Sequence, residues 1–187
     1  MQRRLMVYQK DITDELIQIF EANALVDLSY KDDDIIIVTD EEYYHNEPTN
    51  YEDIYELLAN DFNGEVTMYI EPYSKEEFPF INRMREFIKT LPHRLYYFED
   101  IIPYVVLQNN VEFKHQIKAY IESQVKSEVI ETVIAFIENN MNSSQSADKL
   151  FMHRNTLNYR VDNFVEKVHI DVKHFKGANA VYMLYHY

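Results

Sequence analysis

Cysteine is absent from this 187-residue chain, which excludes disulfides, thiol nucleophiles and thiolate metal sites and fits a reducing compartment. Glycine occurs only twice, at Gly64 and Gly177. A glycine-rich loop that brings backbone N–H groups against phosphates is therefore excluded anywhere in the chain. No apolar run approaches the ~20 residues of a membrane-spanning helix. The opening MQRRLMVYQKDITDE carries two arginines but no apolar stretch of signal-peptide length. These absences predict a soluble, cytoplasmic protein with no membrane association. Metal chemistry finds no foothold either. The seven histidines form no His-x-x-x-His pair. Asp32, Asp33 and Asp34 lack the glycine and terminal glutamate of a calcium loop, so a solvated turn is the simpler reading. No serine sits in a nucleophile elbow and no acid pair stands out, so no enzyme and no cofactor are expected.

What is abundant is negative charge. The net charge is −14, which taken whole opposes nucleic-acid binding. The charge is uneven. Residues 1–140 hold 12 Lys/Arg against 28 Asp/Glu, a balance of −16, whereas residues 141–187 hold 6 against 4, a balance of +2. The acidic part can keep DNA away except through one end of the molecule. Apolar residues make up 47%, enough to build cores rather than a disordered chain.

Periodicity organises the chain in two parts. Residues 12–24 have helical spacing. The β-rich runs 25–30 and 35–39 flank the charged turn KDDD, a hairpin signal. A polar loop, DEEYYHNEPTN, follows. Residues 51–62 return to helical spacing and stop at Asn63-Gly64. Residues 65–73 read as a strand ended by Pro72. Ser74 and Glu77 form a Ser-x-x-Glu capping box for a helix to about Thr90, although Pro79 sits early in it. Residues 94–100 suggest a last strand. Helices over a sheet make this part a small α/β sandwich.

From Ile101 onward the signals are helical: 101–108, 111–125 and 127–139. The run Asn139-Asn140-Met141-Asn142 breaks the last of these. Ser143 or Ser144 caps a short helix ending near Leu150. A longer helix runs from His153 or Arg154 to Val168, and another covers 174–186. The fold class is α+β. The expected domains are an acidic α/β domain over 1–108, a connecting helix over 109–126 and a helical domain over 127–187.

Short helix, tight turn and longer helix make a helix-turn-helix. On the wheel of the longer helix, Leu157, Val161, Phe164, Val165 and Val168 share one ~100° arc and face the core. Asn155, Tyr159 and Asp162 lie opposite. Asn158, Arg160 and Asn163 lie to the sides. Helix-turn-helix proteins read bases from the first turns of their second helix. Asparagine pairs bidentately with adenine and arginine with guanine, while the helix N-terminus attracts phosphate.

The segment MHRNTLNYRVDNF resembles the signature of the PucR/CdaR-type regulators. His153, Arg154, Asn155, Thr156, Leu157, Tyr159 and Arg160 match its core, and Ser146, Ala147 and Leu150 match the short helix before it. The resemblance implies a C-terminal DNA-binding domain preceded by a degenerate, GGDEF-like cyclase domain. The hairpin from Ser29 to Ile35 takes the place of the cyclase signature. Two departures stand out. Asn158, Asp162 and Asn163 occupy positions that are usually more basic in the family. Lys31 and Asp32 replace glycines that would let backbone approach phosphate.

The DNA-binding reading assigns phosphate contacts to Lys149, Arg154, Arg160 and Lys167. It assigns base contacts to His153, Asn155 and Asn158. Thr156 supports the helix start, and Tyr159 either reads or packs. The partners implied are double-stranded DNA, a second copy of the chain, and an unidentified small-molecule or protein effector. The alternative is a diverged interaction module of the same family that no longer binds DNA.

Overall fold

The computed structural model describes residues 2–21, 26–41, 50–74 and 78–187. Its fold is α+β, and the chain forms two compact units, Met1–Tyr97 and Phe98–Tyr187.

The first unit is a five-stranded sheet with helices. Its elements are β1 (Gln2–Tyr8), α1 (Asp14–Glu21), β2 (Val26–Lys31), β3 (Ile35–Glu41), α2 (Tyr51–Asp61), β4 (Thr67–Ile70), α3 (Ile81–Ile88) and β5 (Leu95–Tyr97). The strand order is β2-β3-β1-β4-β5. All pairs are antiparallel except β4 with β5. Side chains alternate across the sheet. One face carries Leu5, Val7, Ile36, Val38, Met68 and Ile70, packed with Leu16, Ile17 and Phe20 of α1 and Leu58 of α2. After α2 the chain turns through Asn63 and Gly64, both left-handed (φ 53° and 75°), as their sequence suggests.

Strand β1 was not apparent in the sequence because two arginines disguise it. Both are held by acids. Arg4 is buried and donates to both carboxylate oxygens of Glu71 at 2.8 and 3.1 Å and to the Phe78 carbonyl at 2.8 Å. The guanidinium of Arg3 stacks on the rings of Tyr51 and Tyr73 and pairs with Asp40.

The helix expected from Ser74 begins later, at Ile81, with Phe80 as its N-cap and no side-chain cap bond. Glu77 lies outside the described residues. Pro79 is the physical reason, because it disfavours helical backbone at Phe78. The segment instead buries Phe78 and Phe80 edge to face.

The second unit is helical: α4 (Phe98–Leu107), α5 (Val111–Gln124), α6 (Ser127–Glu138), α7 (Ser143–Lys149), α8 (Arg154–Val168) and α9 (Phe175–His186). It starts earlier than the expected boundary at 108. Helix α4 packs on α9, burying Phe98, Ile101, Ile102 and Val105 with Ala180, Val181 and Leu184, and Lys176 pairs with Asp100 at 3.4 Å. No helix among the described residues is long and apolar enough to cross a membrane.

Candidate nucleic-acid interface

Helix α6 ends where asparagine is cheap. Asn140 takes a left-handed φ of 54°, and the Met141 N–H closes the end on the Phe136 carbonyl at 2.9 Å. Asn142 then caps α7, its Oδ1 accepting from Ser144 and Gln145 N–H at 3.1 Å each. The cap is thus Asn142, one residue before the serines, which fall inside the first turn. Ser146 and Ala147 are the buried residues of this short helix.

The turn to α8 is a Schellman-type closure. The Phe151 N–H reaches the Asp148 carbonyl at 3.2 Å, and the Met152 N–H reaches Ala147 at 3.0 Å. Phe151 takes the left-handed position (φ 51°) that glycine usually fills. Its ring is 98% exposed. Nothing in the sequence pattern indicated this, since the position carries neither glycine nor asparagine.

His153 caps α8. Its Nδ1 accepts the Asn155 N–H at 3.1 Å, which leaves Nε2 as the outward group of the ring. The sequence reading gave His153 a base contact but missed this capping bond. Leu157, Val161, Phe164 and Val168 are buried, as the wheel requires, and Val165 is half-buried. Helices α6 and α7 pack against α8. Of the residues expected at the interface, Lys149, His153, Arg154, Asn155, Thr156 and Tyr159 are exposed, while Asn158 and Arg160 are half-buried. The first turn of α8 contains no acid.

Two side chains depart from an outward fan. Arg160 folds back on α6, where its Nη1 donates to Thr132 Oγ1 at 3.0 Å and its Nη2 lies 3.6 Å from Glu128 Oε1. Asn158 lines a cavity of about 370 Å³ with Phe136, Met141, Ser143, Val161, Asp162 and Lys173.

Asp162, the acid that departs from the basic pattern, is paired. Its carboxylate meets Lys173 Nζ at 2.5 Å, and that bond raises the Lys173 pKa above its ordinary value. The pair lowers the repulsion that a lone carboxylate would exert on phosphate. At the far end of α8, His169 is left-handed (φ 61°), and burial pushes its pKa down.

Residues 129–186 match the PucR C-terminal helix-turn-helix domain. An uncharacterized Bacillus subtilis (strain 168) protein, YxkF, is 31% identical over 156 residues, 74% of this chain and 50% of that protein. The proline-responsive transcriptional activator PutR of the same organism is 31% identical over 62 residues, 33% of this chain and 15% of PutR. The chain therefore spans half or less of the length of these relatives. In fold, it is similar to the crystal structure of a regulator of polyketide synthase expression from Bifidobacterium adolescentis. That likeness has a TM-score of 0.51 at 12% identity and covers 98% of this chain and 78% of that one.

Proposed function

We propose that the chain, whose residues 129–186 match the PucR C-terminal helix-turn-helix domain, is a DNA-binding transcriptional regulator whose helix α8 enters the major groove. One observation carries this reading. The buried stripe from Leu157 to Val168 leaves the outward side of the first two turns to His153, Arg154, Asn155, Thr156 and Tyr159, all exposed. Arg154 and Lys149 supply phosphate contacts. The positive end of the helix dipole at the α8 N-terminus adds its own attraction for phosphate. Asn155 presents an amide to a base edge, and adenine is its natural partner. Reading with one helix covers few base pairs, so two copies bind paired half-sites.

The first unit plays no catalytic part in this reading. In the hairpin turn, Asp32 Oδ1 accepts the N–H groups of Asp34 at 2.9 Å and Ile35 at 2.6 Å. A nucleotide phosphate at that turn would need such backbone donors, and the carboxylate already occupies them. Burial alone would raise the Asp32 carboxyl, but those two bonds, with Tyr30 and Lys89, outweigh it and keep its pKa low.

The test is salt dependence. Arg154→Ala should weaken binding to all duplexes and shrink the slope of log K against log salt by about one unit. An unchanged slope and affinity would remove Arg154 from the interface.

A further inference from the structure

The contacts of Arg160 set it apart from the other cations of the helix-turn-helix. Arg154 and Lys149 are exposed. The Arg160 side chain is 24% exposed, and its head meets acceptors on the first two turns of α6. Nη1 donates to Thr132 Oγ1 at 3.0 Å and, more weakly, to the Glu128 carbonyl at 3.4 Å. Nη2 faces the Glu128 carboxylate at 3.6 Å. Thr132 is buried, and its hydroxyl donates to the Glu128 carbonyl at 2.7 Å. That bond directs the lone pairs of Oγ1 toward the guanidinium. The acceptor is therefore itself held in place.

We propose that Arg160 is a positioning residue, which fixes the rotation of α8 about its own axis through Thr132 and Glu128 and thereby aims the outward groups. The inference rests on the DNA-binding reading of α8. Apolar packing of Leu157, Val161 and Phe164 holds the helix down but has little directional preference. Hydrogen bonds are directional. The lever is long enough to matter. Outward side-chain heads lie about 5–6 Å from a helix axis. A rotation of ~20° moves such a head by roughly 2 Å, and a hydrogen bond to a base edge does not survive that displacement.

The experiment uses the full chain and its Arg160→Ala, Arg160→Lys and Thr132→Val variants. Each is titrated at several salt concentrations with two duplexes of equal length: one recovered by selection from genomic fragments, and one of random sequence. The positioning role predicts that Arg160→Ala weakens the selected duplex at least ~10-fold. The random duplex should change less than about threefold, and the salt slope should stay put. Thr132→Val should act in the same direction although it removes no charge, and Arg160→Lys should restore part of the loss. A fall of about one unit in slope, with both duplexes weakened equally, is the signature of a phosphate contact and would overturn the proposal. So would unchanged binding in Arg160→Ala.

Should the unaltered chain bind neither duplex, the DNA reading itself fails, and thermal melts still judge the clamp. Arg160→Ala should lower Tm in the parent chain and lower it little further in Thr132→Val, because coupled partners are not additive. Additive losses would refute the clamp.

Discussion

Replacing Gly177 with alanine should destabilise the second unit, although the same change in most helices does the opposite. Gly177 is the third residue of α9. Helix propensity alone favours alanine there by up to ~1 kcal/mol. Sterics oppose it. A Cβ at this position would lie 2.3 Å from the Asp171 carbonyl oxygen and 2.6 Å from its carbon. Both are backbone atoms, so no rotamer relieves the clash. Asp171 is also tied down. Its carbonyl accepts the His174 N–H at 3.2 Å, and its carboxylate receives the Lys173 N–H at 3.0 Å and contacts the His174 ring at 2.8 Å. Relief requires α9 to move away from the connector, which loosens its packing on α4.

Such overpacking costs ~1–3 kcal/mol, and the upper end applies where the obstacle is main chain. The net loss is then about 1–2 kcal/mol, a fall in Tm of roughly 5–15 °C for a unit of this size. Thermal unfolding followed by far-ultraviolet circular dichroism reads it. A rise in Tm in Gly177→Ala would show that α9 does not approach Asp171 this closely.

Leu157→Ala removes a fully buried side chain between α8 and its neighbours. It should cost about 2–5 kcal/mol in urea unfolding, and a loss under ~0.5 kcal/mol, the range of surface changes, would put Leu157 on the surface. His169 has its pKa lowered by burial, so the folded state prefers the neutral ring. Its contribution is complete above the ordinary histidine value of about 6.5 and is lost as pH falls through the lower folded value. Unfolding measured at several pH values should show a steeper acid-side loss for the parent than for His169→Asn, which keeps a side chain tolerant of the left-handed backbone; parallel curves would refute it. Asn155→Ala should flatten discrimination at one base position by ~1–3 kcal/mol while sparing random duplex, and a uniform loss across positions would assign Asn155 to the backbone instead.

The helical half of the chain was legible because its signals are local. Asn-rich breaks, the apolar arc on α8 and the His-Arg-Asn-Thr-Leu run each lie within one or two turns of what they determine. The sheet was legible where apolar runs flank a turn, at β2 and β3. It was hidden at β1, because Arg3 and Arg4 are neutralised by Asp40 and Glu71, far away in sequence. The same reason limited the site. Spacing placed Arg160 on a flank of α8 and Asp162 opposite its buried arc. It gave no sign that one would turn to Thr132 and the other to Lys173, since both partners sit on other elements. The strained, exposed Phe151 and the His153 cap were missed because neither residue type is the usual occupant of its position.

The most direct test of the DNA-binding account is a titration of the full chain with duplex DNA from genomic selection, at salt concentrations from about 50 to 200 mM. The account predicts tight binding at low salt, a clearly negative slope of log K against log salt, and a preference for the selected duplex over random sequence. Absence of binding to either duplex at the lowest salt would contradict it and leave α8 as the surface of a protein-interaction module.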